Sequence, residues 1–135
     1  MTAQKGKDLL LKLDAGTGFM TVAGLRAKRI TFNAETIDVT DSQSAGRWRE
    51  LLSGAGVKKA AITGEGIFKD SQSDEIVRDA FFNGSLPDWQ IILPDFGALS
   101  GVFQITNLEY GGQHNGEVTF KLSLESAGEI AFAVA

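Results

Sequence analysis

The chain has 135 residues, of which 43% are apolar and 22% are charged, and it contains no cysteine. This composition is close to the globular average, so it excludes extensive disorder, a disulfide scaffold and thiolate metal sites. The formal net charge is −4, and a single histidine leaves no histidine and cysteine set for zinc.

Charge is distributed unevenly along the sequence. Residues 1–30 carry six Lys/Arg and two Asp/Glu (6 − 2 = +4), whereas residues 31–135 carry seven Lys/Arg and fifteen Asp/Glu (7 − 15 = −8). The acidic body argues against tight binding of nucleic acid, which needs clustered cations. The basic segment either meets an acidic partner surface, including a second copy of the chain, or is simply solvated.

Membrane insertion and secretion are not expected from the sequence. No apolar run is long enough for a signal peptide or a membrane-spanning helix. The absence of cysteine fits synthesis in a reducing cytoplasm.

The N-terminal third predicts three strands, with Ile30 and Phe32 facing inward on the third. Ile37 and Val39 fall out of phase with that strand, which predicts a β-bulge near residues 34–36. The three predicted strands are Lys7–Leu13, Phe19–Ala23 and Lys28–Ala34.

Residues 40–56 interrupt the alternation and form a predicted long loop, which carries Trp48 between Arg47 and Arg49. Loops of this length in compact domains are usually functional or disordered. Trp and Arg are enriched at interface hot spots, which favours an interaction loop. The alternative is a loop that folds back and places Trp48 in its own core.

The remainder of the chain predicts further strands and one helix. The helix spans residues 71–84, where Ser71 and Asp74 form a capping pair. Asn115-Gly116 is typical of a tight hairpin turn. Five further strands are predicted. The first has Ala60, Ile62, Gly64, Gly66 and Phe68 on one face. The others are Asp88–Leu93, Val102–Tyr110, Glu117–Glu125 and a last strand within residues 130–135.

No motif for catalysis is found in the sequence. His114 lies in the predicted turn, and residues 97–101 do not match G-x-S-x-G. Residues 54–59 lack the glycine spacing of a phosphate loop. The chain is therefore not expected to be an enzyme or to hold a cofactor.

The order and spacing of six segments resemble the major tail proteins of long-tailed phages. The closest resemblance is to the tail tube subunit of gene transfer agents, which are phage-like particles, and it extends over roughly residues 5–130. The segments are Trp48–Val57, Gly66–Asp70, Ala80–Gly84, Trp89–Gly97, Phe103–Tyr110 and Gly116–Gly128.

The resemblance implies a mainly β fold, with two packed antiparallel sheets, sandwich-like or barrel-like, flanked by one α-helix. It implies a single tail-tube domain over residues 1–135, with the interaction loop at about residues 40–56. Such subunits form hexameric rings that stack into the tail tube of a particle. The implied partners are other copies of the chain and the measuring, terminator and baseplate proteins, and DNA passes without specific binding.

The resemblance to tail tube subunits also implies which residues contact neighbouring copies and which line the lumen. Arg47, Trp48 and Arg49 are the expected inter-subunit contacts of the loop. Asp38 and Glu65 are lumen candidates on polar strand faces, although Arg29 and Lys59 are expected on the same faces.

Two other functions are compatible with the sequence. One is a tube subunit of a related secretion system, which has the same ring architecture. The other is a monomeric β-rich ligand-binding module, in which Trp48, Trp89 and Tyr110 line a pocket.

Overall fold

The structure, a computed structural model, describes residues 9–16, 18–41, 43–44, 46, 48–52, 56–112 and 114–134. Within these residues the chain forms eight strands and one helix, and every strand pair is antiparallel. The mainly β fold with a single helix is therefore confirmed. The elements are β1 (Leu10–Asp14), β2 (Phe19–Thr21), β3 (Leu25–Ala34), β4 (Lys58–Ile67), α1 (Gln72–Phe82), β5 (Asp88–Leu93), β6 (Gly97–Gly111), β7 (Thr119–Ser126) and β8 (Ala131–Val134).

Strand β6 joins two halves of the sheet, whose strand order is β2-β1-β5-β6-β7-β4-β3. Its residues 97–102 pair with β5, and residues 97–100 also pair with β8 on the opposite side. Its residues 103–111 pair with β7. We call the part formed by residues 103–111, β7, β4 and β3 the four-stranded half. Strand β6 is thus longer than the predicted segment Val102–Tyr110.

One core is built from alternate residues of both halves together with α1. The alternation places every second side chain of a strand on the same face, and the apolar face of this sheet is buried. Burial of each large apolar side chain stabilises the fold by about 1.5–3 kcal/mol. The core cluster consists of Leu11, Leu13, Val22, Ala60, Ile62, Val77, Ala80, Trp89, Phe103, Ile105, Phe120, Leu122 and Leu124.

Helix α1 begins at the predicted capping pair. The backbone N–H of Ser71 donates to Oδ2 of Asp74 at 3.0 Å, which satisfies a donor that precedes the first helical turn. The hydroxyl oxygen of Ser73 accepts a hydrogen bond from the N–H of Ala23 at 3.0 Å. This second bond ties the helix N-terminus to the turn between β2 and β3, while Val77 and Ala80 face the core.

The glycines of β4 reflect close approach of backbone. A Cβ atom at Gly66 would lie 2.0 Å from the carbonyl oxygen of Gly24, a distance that no side chain tolerates. Glycine at position 66 therefore permits the close approach of the β3 entry to β4, whereas a Cβ atom at Gly64 would meet the side chain of Leu25 at 3.0 Å.

Phe32 lies on the inward face as predicted, opposite the buried Ala60, but it is 55% exposed at the edge of the sheet. The local prediction of a tight turn is wrong. The connection between β6 and β7 is not a tight turn, since Gly111 pairs with Thr119 and leaves seven residues, 112–118, between them. Gly116 does not have a positive φ angle.

Adjacent residues of β4 test the assignment of the buried face. We expect Ile62→Ala to lower the free energy of unfolding by about 2–5 kcal/mol, because it removes a buried side chain and leaves a cavity. Thr63→Ala on the opposite face should change it by about 0.5 kcal/mol or less. Denaturant unfolding of the dilute protein measures both values, and equal effects would contradict the assignment.

Candidate functional site

The described residues within 35–57 form an arm that continues β3 and β4 beyond the sheet. The N–H of Glu35 donates to the carbonyl of Val57 at 2.7 Å. Farther out, the N–H of Leu52 donates to the carbonyl of Ile37 at 2.8 Å, and Asp38 forms a β-bridge with Leu51. The β-bulge predicted near residues 34–36 is not found in the described pairing of β3, whose register shifts only between Leu25 and Ala27. The change of phase there is instead the end of β3 and the start of the arm, which includes the predicted long loop.

The arm exposes large apolar side chains. Trp48 is 78% exposed, so the alternative that places it in its own core is wrong. Arg49 beside it is also exposed, whereas Arg47 lies outside the described residues. The other exposed large apolar residues of the arm are Val39, Leu51, Leu52 and Val57. Clustered apolar exposure of this kind marks contact surfaces.

Asp38 stabilises the arm rather than facing the sheet surface. Hydrogen bonds from the Thr40 side chain and backbone lower the pKa of Asp38, and the nearby positive charge of Arg49 lowers it further. The N–H of Thr40 donates to Oδ1 of Asp38 at 2.8 Å. Asp38 is therefore not on the strand face that carries Glu65.

The outward face of the four-stranded half is a second candidate surface, which we call the polar face. The strand register places Glu65 on it together with Arg29 and Lys59, as predicted. The pair between Lys121 Nζ and Glu65 Oε2 spans 3.9 Å across neighbouring strands. Its charged strand residues are Arg29, Lys59, Lys121, Glu65, Glu109 and Glu125, three positive and three negative (3 − 3 = 0).

Both edges of the four-stranded half lack a strand partner within the described residues. Strand β3 pairs only with β4. On the side of β6 opposite β7, the pairing with β5 ends at Val102, so residues 104–111 have no strand beside them. Such edges present backbone donors and acceptors to another chain.

A third surface is a groove beside α1, which we call the aromatic groove. It encloses about 380 Å³. The rings of Phe68 and Tyr110 meet edge to face, with centroids 5.6 Å apart. Burial raises the pKa of Tyr110, and the negative charge of Asp74 raises it further. The groove is lined by Phe68, Phe82, Tyr110, Val118, Asp70, Asp74, Glu75 and Arg78.

The sequence analysis did not identify the aromatic groove. The available signal was Phe82, which lies outside the apolar stripe of the helix and is 76% exposed. The groove also requires β6, β7 and α1 to meet, and no local pattern predicts that contact.

The structure does not assemble the predicted ligand pocket. Trp89 is fully buried in the core, Trp48 is on the arm, and Tyr110 lies in the aromatic groove. These three side chains therefore do not line one cavity.

The described part of the chain offers neither a metal-binding cluster nor a membrane-spanning helix. It contains no group of three or more His, Cys, Asp or Glu side chains placed to hold a metal ion. The helix found there is too short and too polar to span a bilayer.

Comparisons with known proteins agree on a family. The sequence profile described as Phage tail tube protein matches residues 3–132. A chain in the tail of an empty gene transfer agent particle, reconstructed with helical refinement and C6 symmetry, is 54% identical, with a TM-score of 0.95 over 98% of this chain and 100% of that one. A chain in the virion of a native gene transfer agent particle is 55% identical, with a TM-score of 0.93 over the same shares.

A more distant likeness supports the fold alone. The SPP1 tail tube protein is 17% identical, with a TM-score of 0.78 over 98% of this chain and 80% of that one. No curated protein sequence gave a match.

The two tryptophans test the exposure of the arm. In dilute protein, we expect acrylamide to quench the fluorescence of Trp48 strongly and that of Trp89 weakly, because only Trp48 contacts solvent. Trp48→Phe should therefore remove most of the quenching and shift the emission to the blue. Quenching that persists in this variant would contradict the described position of Trp89.

Proposed function

The chain belongs to the phage tail tube protein family, and we propose that it is the tail tube subunit of a gene transfer agent or similar particle. The observation that carries the proposal is 54% identity over 98% of the chain to a subunit of a C6-symmetric tail. Six copies form a ring, the rings stack, and the tube delivers DNA from the particle. The likeness to gene transfer agent chains favours this role over a secretion tube.

The free edges of the four-stranded half support ring formation. The β3 edge of one copy and the β6 edge of the next are different surfaces, so their contact is heterologous. Heterologous contacts give a closed ring when the rotation between copies closes. In such a ring the four-stranded halves form a continuous wall.

The polar face is suited to line the lumen of that ring. DNA is held by clustered Lys and Arg that displace its counterions. Here each cation has an anion on the same face, as in the pair of Lys121 with Glu65, so the face carries no formal net charge. Glu65 is accordingly proposed as a lumen residue, whereas the position of Asp38 in the arm fits a contact between copies better.

The arm is the proposed contact between copies, through Arg47, Trp48 and Arg49. The chain acts as a single tail-tube domain over residues 1–135, with this arm as its interaction segment. Measuring, terminator and baseplate proteins are its proposed further partners in the particle. The role is structural, without catalysis or cofactor, and DNA passes without specific binding.

Electron microscopy of the purified protein tests assembly directly. We expect six-fold rings or tubes at high protein concentration. Deletion of residues 42–54 should abolish stacking but leave the thermal unfolding transition within a few degrees, because the arm contributes no side chain to the core cluster. A protein that stays strictly monomeric at high concentration would contradict the proposed function, and loss of folding on deletion would mean that the arm is structural.

Charge reversal on the polar face tests the lumen. Each Glu→Lys change adds two positive charges, so Glu65→Lys with Glu109→Lys takes the face from 0 to +4. We expect assembled tubes of this variant to retain double-stranded DNA at low salt and to release it as salt rises. Cosedimentation with labelled DNA measures this retention.

The matched control is Asp79→Lys with Glu129→Lys, which makes the same charge change at exposed positions away from the polar face. It should retain much less DNA inside the tube. Equal retention by the two variants would show that the polar face does not line the channel.

A further inference from the structure

The arm and the aromatic groove lie at opposite ends of the four-stranded half. Strand β4 begins at Lys58, next to the arm, and ends at Ile67, next to Phe68 of the groove. Ten strand residues at about 3.3 Å each separate the two ends by about 30 Å. Because the arm extends away from the sheet, a chain does not fill its own groove.

Both surfaces expose large aromatic side chains to solvent in the single chain. Trp48 of the arm and Phe82 of the groove each have about three quarters of their surface accessible. Aromatic rings gain more from burial than other side chains and add specific edge or face contacts. Each surface is thus incomplete without a partner.

The groove carries charge opposite to that of Arg49, although residues 35–57 as a whole contain two Arg and four Asp/Glu (2 − 4 = −2). Three carboxylates, those of Asp70, Asp74 and Glu75, line the groove. The one cation there, Arg78, is already 3.3 Å from Asp79. In the sequence, no acidic residue lies between Asp41 and Glu50.

The arm has a positively charged side chain directly after Trp48. It is that of Arg49, which has no carboxylate within salt-bridge distance in the described part of the chain. A guanidinium also interacts favourably with the faces of aromatic rings such as Tyr110. The raised pKa of Tyr110 agrees with a partly dry groove beside a negative charge.

We propose that the arm of one copy places Trp48 in the aromatic groove of a second copy, where Arg49 meets the carboxylates of the groove. The inference rests on the proposed function, since it names the surface that receives the arm. Because the two surfaces lie at opposite ends of the chain, each copy that accepts an arm also offers one. The contact is heterologous and does not close on itself, so it extends the assembly along the strand direction.

The absence of cysteine makes disulfide crosslinking a specific test. We expect purified Trp48→Cys and Phe82→Cys proteins, mixed, assembled and then oxidised, to give a crosslinked heterodimer. The double variant should give a ladder of covalent oligomers. Both side chains are highly exposed, so the substitutions are expected to leave the thermal transition unchanged.

The matched control uses the Val134→Cys protein in place of the Phe82→Cys protein. Val134 is equally accessible and lies on β8, at the other end of the molecule. Tubes that form without a Trp48–Phe82 crosslink, or with a stronger crosslink to position 134, would overturn the inference while leaving the proposed function intact. Failure to form rings or tubes at all, with unmodified protein, would instead overturn the proposed function.

Charge exchange gives an independent readout. Arg49→Glu and Glu75→Arg should each reduce the sedimentable, assembled fraction at least severalfold at low salt. The double variant should recover assembly, because the reversed residue 49 of each arm then meets the reversed residue 75 of a groove. The two single variants mixed should also recover it, because the reversed arm of one pairs with the reversed groove of the other, and the unchanged arm with the unchanged groove. A double variant no better than either single one would overturn the proposed pairing.

Discussion

The pairing of β6 with strands of both halves is the constraint on which the rest of the structure depends. Its first six residues belong to the half built with β5 and β8, and its last nine belong to the half built with β7. One strand therefore sets the position of both halves relative to the core. It also leaves the far side of residues 104–111 without a strand partner, which creates the edge that a neighbouring copy can use.

Successive side chains of β4 and β7 alternate between the two faces of the four-stranded half, so these faces have different roles. Ile62, Leu122 and Leu124 enter the core, so the residues between them must face outward. The outward set is polar and balanced in charge, and cross-strand ion pairs of exposed groups contribute little to stability. The pairing of Glu65 with Lys121 therefore adds little to stability, and its charge balance fits the proposed role of the polar face as a lumen surface.

The sequence was sufficient to predict those features that depend on local pattern. Alternation located β4, β5 and β7, the Ser71 and Asp74 pair located the helix start, and the glycine-bounded segment around Trp48 located the arm. Phe32 was placed on the correct face, but alternation cannot show that a side chain at the edge of the sheet stays exposed. The prediction of a tight turn at Asn115-Gly116 was wrong because the register of β6 and β7, not turn propensity, sets the length of that connection. The aromatic groove depends on three elements meeting, and no local pattern encodes that contact.

The distribution of exposed apolar side chains distinguishes the surfaces that meet water from those that meet another copy. Within the described residues, none of the exposed large apolar side chains lies on the polar face, although that face is broad and accessible. They occur instead on the arm, at and just after the end of α1, beside the aromatic groove, at β8 and the neighbouring Phe96, and at Phe19 and Phe32. A subunit that worked alone would have no physical reason to keep its best-hydrated surface on one face and its apolar groups at its ends. A subunit of a tube does, because its lumen face stays wet while its ends are covered by the next copies.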